Sequence, residues 1–344
     1  MNPAKNFEHL FSPLGEPGNF KSLGVVTFLR SPQIDMETDA LKNSGARFAF
    51  MGVPYDEGNV GKPGSEEGPQ AFRVASHEYF PYWFEYQVDL AGTSVDCGNV
   101  RVPKVMPELA HDRIYRAVRT VLASGVTPII CGGDRSISIS AAKALSDHIG
   151  EDKKLGYMHF GAHLEMADSW AGEKMAAPCT FARVSELPNV NTANMAHVGA
   201  RNSMNPKDHV ELAKKRGIRF HSMDEVLDRG IQSTVNEAAD QVWNGTDAQY
   251  LSFNMNILDA SAAPGVTAAE PGGFESREMM QTATLLGHRG SVSLIEISEL
   301  APVFDVSGTT AKLAACIVLR LMASMAKQRG EFVDQGIRRS DLRG

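Results

Sequence analysis

The sequence predicts an α/β fold in which one doubly wound, mainly parallel sheet carries helices on both faces, giving three layers. Apolar segments of strand length alternate with longer segments of helical period along most of the 344 residues. Such alternation favours parallel strands that are joined by crossover helices. No linker or change of composition divides the alternating region. We therefore expect one domain at residues 45–329, with an amino-terminal arm at 1–44 and a charged tail at 330–344.

The individual elements follow in the order that this fold requires. The arm contains Pro13, Pro17 and Pro32 without any periodicity, so it is predicted to run over a surface, either of this chain or of a neighbouring subunit. An apolar strand at 47–53 leads into a glycine-rich loop and a helix from residue 70. Further strands are predicted near residues 88–91, 126–131, 155–160, 196–199, 217–220, 249–253 and 291–296. Helices are predicted at residues 107–124, 136–148, 206–216, 231–243, 276–286 and 307–327.

Composition and charge exclude several classes of protein. The net charge is −7 and no basic run is present, which argues against binding to nucleic acid or to an anionic membrane. The four cysteines form no C-x-x-C pair and no signal peptide precedes them, as is typical of the reducing cytoplasm. The apolar segment 309–326 contains Lys312 and Arg320, so we expect a buried helix and no membrane span.

Three of the predicted strands end in clusters of polar residues. The strand at 249–253 continues as a strict alternation in which Asn254 and Asn256 share one face. The other two strands are followed by the polar residues Asp134, Arg135 and Ser136, and by Gly161, His163 and Glu165, which a period of two places on one face. Because the carboxyl ends of neighbouring parallel strands converge, these clusters are expected to share one pocket.

These stretches carry a resemblance to a known family. GGDRSIS at 132–138, GAHLEMAD at 161–168 and SFNMNILDASAAPGVTAAEPGG at 252–273 resemble the signature motifs of the ureohydrolases, which include arginase and agmatinase. The family pattern reads roughly G-G-D-H-S, then D-A-H-x-D, then S-F-D-x-D-x-x-D-P with a later P-E-P-G-G. VDCGNV at 95–100 and FDVSGTTAKLAA at 304–315 also occur in family order. The resemblance implies an arginase-like fold and hydrolysis of guanidino compounds.

The resemblance also implies a metal site, and here the sequence departs from the pattern. Family members hold two manganese or nickel ions with two histidines and four aspartates. The six matching positions are Arg135, Gly161, His163, Glu165, Asn254 and Asn256, of which His163 alone is unchanged. A carboxamide replaces an anionic ligand poorly, and a guanidinium cannot coordinate a cation. We therefore expect no metal and no catalytic residue in this chain, and we expect Arg135 to pair with Glu165.

Two further positions bear on function. Pro178 and Cys179 stand where family members carry a His-Gly pair whose histidine is a proton shuttle. Glu299, three residues before Pro302, matches the family glutamate that grips the substrate guanidinium. It is therefore a candidate guanidino-ligand contact, with a hydrogen-bonding role inside the sheet as the alternative.

The sequence thus favours a non-catalytic subunit of a heteromeric hydrolase of guanidino or biguanide compounds. Its partner would be a catalytic paralogue that holds nickel or manganese, in a trimer- or hexamer-based hetero-oligomer. One alternative is a self-sufficient agmatinase-like hydrolase with an atypical site, either one ion on His163 and Glu165 or metal-free chemistry with Arg135 and Glu299. Another is a protein that binds a guanidino ligand through Glu299.

Overall fold

The computed structural model describes residues 26–331, and its central sheet confirms the predicted fold class. Eight parallel strands lie in the order β4-β1-β5-β10-β9-β6-β7-β8. They are β1 (Phe48–Val53), β4 (Ser94–Asn99), β5 (Thr127–Gly132), β6 (Leu155–Phe160), β7 (Val190–Ala200), β8 (Arg219–Ser222), β9 (Ala248–Asn254) and β10 (Leu294–Ser298). The short strands β2 (Tyr82–Trp83) and β3 (Val88–Asp89) form a separate antiparallel pair.

Helices cover both faces of the sheet. The described helices are α1 (Thr38–Asn43), α2 (Gly68–His77), α3 (Pro107–Ala123), α4 (Ile137–Ile149), α5 (Thr180–Val184), α6 (Lys207–Lys215), α7 (Met223–Arg229), α8 (Ile231–Trp243), α9 (Ser276–Gly287) and α10 (Thr309–Gln328). On one face α2, α8, α9 and α10 build a core with side chains such as Phe72 and Val318. On the other, α3 and α4 contribute Ile114 and Leu145 to a second core.

The central strands are buried on both sides, which explains their sequence. Every residue of β6 and β9 is buried, because helices exclude water from both faces. The rings of Phe160 and Phe253 stack across the two strands at 5.2 Å between centroids. A polar residue in such a strand, such as Glu296 in β10, therefore needs an internal partner.

The predicted strand at 88–91 does not belong to the central sheet. Val88 and Asp89 pair with Trp83 and Tyr82 instead. The outer strand on this side of the sheet is β4, at Ser94–Asn99. This strand lacks the apolar pattern of its neighbours because Asp96 is buried in it. Arg73 from α2 pairs with that carboxylate at 2.8 Å.

Part of the predicted arm packs against its own domain. Phe28 and Leu29 are buried in the core, and Gln33 bridges to Asp96. The arm prediction for residues 1–25 and the tail prediction from residue 332 onward lie outside the described residues. Within 26–331, α10 is the one helix long and apolar enough to cross a membrane by length and composition, and 72% of its most apolar stretch is buried inside the protein.

Candidate functional site

The polar clusters meet at the carboxyl edge of the sheet, as the sequence predicts. Strands β5, β10, β9 and β6 are neighbours in the sheet, so the segments that follow them share one edge. Asn256, which follows β9, connects the segments that follow β6 and β10. Its Oδ1 accepts a hydrogen bond from the Ala162 backbone N–H at 2.9 Å, and its Nδ2 donates to Glu299 Oε2 at 3.1 Å.

Strands β6 and β9 end close to their predicted positions, but the alternation of side chains predicted beyond their ends is not observed. Strand β9 stops at Asn254, and Asn256 lies in a 3₁₀ turn at Met255–Ile257, so the two amides do not share a strand face. Asn254 Oδ1 caps this turn by accepting a hydrogen bond from Asn256 N at 3.0 Å. Likewise β6 stops at Phe160, and Glu165 has a φ of +53°, which re-aims its side chain. The period of two predicted for Gly161, His163 and Glu165 is therefore wrong, although two of those side chains still reach one cavity.

Arg135 lies at the centre of this carboxyl edge of the sheet and is fully buried. Its Nε lies 2.9 Å from Glu165 Oε2, which confirms the predicted ion pair, although the N–H does not point along a hydrogen bond to that oxygen. The guanidinium also makes hydrogen bonds that the sequence did not indicate. Its Nη1 donates to Glu296 Oε1 at 2.9 Å and its Nη2 donates to the hydroxyl of Tyr157 at 2.6 Å.

Glu296 is the functional-site residue that the sequence analysis missed. Besides Arg135, it accepts hydrogen bonds from the hydroxyls of Ser138, Ser252 and Tyr250. The sequence did contain a signal, because an acidic residue inside the apolar segment LIEIS must have a partner if that segment is a central strand. The partner was the one basic residue among the motif ends.

Charge pairing sets the pKa values around Arg135. Burial by itself lowers the pKa of the guanidinium, but Glu165, Tyr157 and Glu296 raise it, so Arg135 stays charged. Burial raises the pKa of Glu165 to about 7 although Arg135 opposes the rise. Burial also raises the pKa of Tyr157 to about 12 against the same guanidinium. The cluster is therefore held together by one permanent cation.

Glu299 lies beside this cluster but has a different environment. It is buried, its φ is +61°, and no described lysine or arginine lies within ion-pair distance of its carboxylate. Burial and the nearby charge of Glu165 raise its pKa to about 7. An aspartate in place of Asn256 would put a second anion where the amide now donates a hydrogen bond. The amide of Asn256 thus donates a hydrogen bond to Glu299, whereas a carboxylate at this position would repel it.

Three histidines, His159, His163 and His197, lie close together beside Gly161. His159 and His197 are fully buried with ring centroids 4.9 Å apart, and burial keeps the pKa of each well below its usual value. His197 Nε2 donates to the backbone carbonyl of His163 at 2.7 Å. A side chain at Gly161 would need His159 to move, because its Cβ would lie 2.4 Å from His159 Nε2. An aspartate ligand at 161 has no room in this packing.

A cavity of about 380 Å³ opens onto this edge. Glu165, Glu299 and His163 line its acidic end, and Pro178 forms part of the wall at the predicted shuttle position. The described lining contains neither lysine nor arginine, and its apolar surface comes from residues such as Val60, Trp170, Ala177 and Met204. The space resembles a ligand pocket in size and in its mixture of apolar walls and few polar groups.

The residues of this edge do not fit a pair of divalent cations. The guanidinium of Arg135 repels a cation, and Asn254 and Asn256 offer amides whose oxygens already accept backbone hydrogen bonds. Among residues 26–331, no three histidine, cysteine, aspartate or glutamate side chains come together as a metal-binding group. At the six positions that match the family's metal ligands, the one carboxylate, Glu165, is paired with the one guanidinium, Arg135.

Comparison with known proteins identifies the family of this fold. Residues 46–324 match the model of the Arginase family. Guanidinopropionase of Pseudomonas aeruginosa is 29% identical over 312 residues, which cover 88% of this chain and 92% of that protein. Mitochondrial agmatinase of Gallus gallus is 27% identical over 312 residues, covering 88% of this chain and 86% of the relative.

Solved structures agree with the observed architecture. Formimidoylglutamase of Bacillus subtilis superposes with a TM-score of 0.82 at 23% identity, covering 93% of this chain and 98% of that one. Proclavaminate amidino hydrolase of Streptomyces clavuligerus gives a TM-score of 0.78 at 24% identity, with coverages of 89% and 98%. The family match covers most of the described residues, and the chain belongs to the arginase family.

Proposed function

We propose that this chain is the non-catalytic subunit of a heteromeric hydrolase that cleaves C–N bonds of guanidino or biguanide compounds. It would support the assembly, solubility or stability of a catalytic paralogue that carries the metal ions, nickel or manganese. The relatives named guanidinopropionase and agmatinase support the class of substrate for the complex.

One observation carries the proposal: the fully buried guanidinium of Arg135 at the centre of the edge. It lies between Glu165 and Glu296, so these two carboxylates are already paired with a fixed cation. A divalent ion would have to displace this pair, and expelling a buried paired charge costs several kcal/mol. The fold keeps its packing around the guanidinium, with Arg135 entirely inaccessible to solvent. A preserved scaffold with a neutralised site suits a partner better than a catalyst.

We infer a cytoplasmic hetero-oligomer built on trimers or hexamers, similar to bacterial metformin hydrolase, in which an inactive subunit accompanies a nickel enzyme. The inactive chain would then contribute surface and shape.

The test is to produce the chain alone and together with a paralogue that retains all six metal-ligand residues. Light scattering after size-exclusion chromatography gives the composition of the complex, and elemental analysis gives metal per subunit. The proposal predicts a mixed oligomer in which metal and biguanide hydrolysis follow the paralogue. Metal-dependent hydrolysis by this chain alone, abolished by a chelator, would instead support the atypical hydrolase with an ion on His163 and Glu165. Chelator-resistant hydrolysis would support metal-free chemistry with Arg135 and Glu299.

The cavity supports a second candidate function, the binding of a guanidino ligand. Glu299 supplies a buried carboxylate at the cavity that no described lysine or arginine pairs with, and the described lining contains neither of these residue types. A cation that enters the cavity would therefore stabilise the ionised glutamate. The apolar walls would contact the rest of such a ligand.

Calorimetry with agmatine, arginine and biguanides tests this second candidate. Binding through Glu299 should release protons near pH 6.5, because the pKa of about 7 leaves the carboxyl largely protonated before the cation arrives. The matched variant Glu299→Gln should lose both the affinity and the proton release. Absence of heat at millimolar ligand would remove this candidate.

A further inference from the structure

The contacts of Arg135 are those of a bound guanidinium ion. Its Nη1 donates to Glu296 Oε1 at 2.9 Å, its Nη2 donates to the Tyr157 hydroxyl at 2.6 Å, and its Nε lies 2.9 Å from Glu165 Oε2. Each of the three nitrogens of the planar group therefore lies within 2.9 Å of an oxygen, and Nη1 and Nη2 donate hydrogen bonds to theirs. Such a planar fork matched by carboxylates is the arrangement by which proteins recognise guanidinium groups.

The acceptors come from parts of the chain other than the segment that carries Arg135. Glu296 lies in β10, Tyr157 in β6 and Glu165 in the segment after β6, whereas Arg135 precedes α4. Glu296 is held in addition by the hydroxyls of Ser252 and Tyr250 from β9 and by the hydroxyl of Ser138 from α4, which also accepts a hydrogen bond from Arg135 Nη1. The three acceptors are thus carried by the sheet and by the segment after β6, with Ser138 of α4 as a further support, and Arg135 reaches into the cluster.

The cluster also has a charge that requires a cation. Glu165 and Glu296 are buried, and Arg135 is the one basic side chain within ion-pair distance of Glu296 among the described residues. The 380 Å³ cavity reaches the cluster at Glu165, which lines it, whereas Arg135, Glu296 and Tyr157 lie behind that residue and do not line the cavity. Removal of the Arg135 side chain would leave a space next to Glu165, which a small ion could enter from the cavity.

We infer that Glu296, Tyr157 and Glu165 form a guanidinium-binding site that the chain fills with its own Arg135. The native protein is self-occupied at this site, and removal of the side chain creates a site for a free planar guanidinium-type cation. A neutral urea lacks the charge for this site, and a quaternary ammonium lacks the N–H donors. The inference does not depend on the subunit role proposed above.

The experiment is chemical rescue of the full-length Arg135→Ala variant. Thermal unfolding is followed with methylguanidinium chloride up to about 20 mM, far below the molar range in which guanidinium salts denature proteins. We expect a saturable rise of the melting temperature in the variant and no rise in the wild type. Equal concentrations of sodium chloride, tetramethylammonium chloride and urea should fail to produce it.

The matched control is the double variant Arg135→Ala/Glu296→Gln, which keeps the enlarged space but loses the central carboxylate. Its apparent affinity for methylguanidinium should fall by at least about tenfold, since a hydrogen bond to a charged group is lost. Equal stabilisation of both variants would overturn the inference, and so would a folded Arg135→Ala protein that shows no saturable effect. If Arg135→Ala does not accumulate as folded protein, its refolding yield from urea is measured with and without methylguanidinium. A yield that methylguanidinium does not raise would likewise overturn the inference.

Discussion

Two buried arginines in this molecule have different kinds of partner: carboxylates in one case and backbone carbonyls in the other. The guanidinium of Arg135 faces the carboxylates of Glu165 and Glu296. Arg201 follows β7 and has no carboxylate within ion-pair distance among the described residues; instead it donates hydrogen bonds to six backbone carbonyls, those of Pro271, Gly199, Ile257, Asn256, Leu258 and Glu270. Arg135 is surrounded by charges and Arg201 by dipoles.

The electrostatics of the two groups differ accordingly. The carboxylates raise the pKa of Arg135, whereas burial lowers the pKa of Arg201. Arg201 holds the loop after β9 in place through hydrogen bonds to its carbonyls. This role does not depend on the charge of the site. Arg135 supplies the positive charge that pairs with Glu165 and Glu296 at the site. Arg201 therefore belongs to the framework that positions the loops, whereas Arg135 belongs to the charged centre of the site.

Replacement of Arg135 is expected to have the largest effect on stability. Arg135→Met leaves buried carboxylates without their cation, which should lower the free energy of unfolding by about 3–5 kcal/mol. The loss should grow with pH. The pKa of Glu165, about 7 in the wild type, rises further when the cation is removed, so the variant continues to lose stability above pH 7 where the wild type no longer does. Urea unfolding between pH 6 and 9 measures both effects.

Replacement of Arg201 provides the matched comparison. Arg201→Met deprives buried carbonyls of a donor and should cost roughly 2–4 kcal/mol. Because those acceptors are carbonyl groups without a titration of their own, the loss should be constant between pH 6 and 9. A pH-dependent loss in Arg201→Met, or a flat one in Arg135→Met, would contradict the distinction drawn here between charge and dipole.

The amide of Asn256 gives a smaller effect. Asn256→Asp replaces a donor to Glu299 Oε2 with an anion at about the same 3.1 Å separation, so we expect a loss of about 1–3 kcal/mol at pH 8. The matched control is Asn191→Asp, at an exposed asparagine whose Oδ1 accepts a hydrogen bond from Ala193 N, and its effect should stay within about 0.5 kcal/mol. Equal effects of the two changes would argue against the coupling of Asn256 to Glu299.

The carboxyl group of Glu299 should leave a signature in the pH dependence of stability. Its folded-state pKa is about 7, above its usual value of 4.5, so its stabilising contribution is present below pH 4.5 and is lost as the pH rises to 7. Glu299→Gln removes this dependence. The variant should gain on the wild type by up to about 1.4 kcal/mol per pH unit in that window and by no more above it. Parallel stability curves would mean that Glu299 titrates normally.

The sequence predicted the fold well where strands are apolar throughout. Strands β5, β6 and β9 and helices α3 and α10 appear near the predicted positions because hydrophobic pattern alone determines them. The edge strand β4 was missed because Asp96 is paired with Arg73, and such a partner is visible only in three dimensions. A two-residue strand such as β3 is likewise decided by its neighbour β2.

The site could be predicted in composition but less well in geometry. The motif order brought Arg135 and Glu165 together correctly, since strand topology fixes which segments meet. The backbone after each strand was not predictable, because the positive φ at Glu165 and Glu299 reflects tertiary packing. Glu296 was overlooked for a related reason, as its partner lies 161 residues away in the sequence.

Metal content tests the central claim, that Arg135 neutralises this edge and replaces the cations. The chain is produced alone in medium supplied with manganese and nickel, and bound metal is measured after gel filtration. The Arg135→His/Asn254→Asp/Asn256→Asp variant serves as the comparison with partly restored ligands. We predict less than about 0.1 ion per wild-type chain, because a buried ion pair would have to be broken to admit one. Near-stoichiometric metal in the wild type, with hydrolysis of guanidino compounds that a chelator abolishes, would contradict the account.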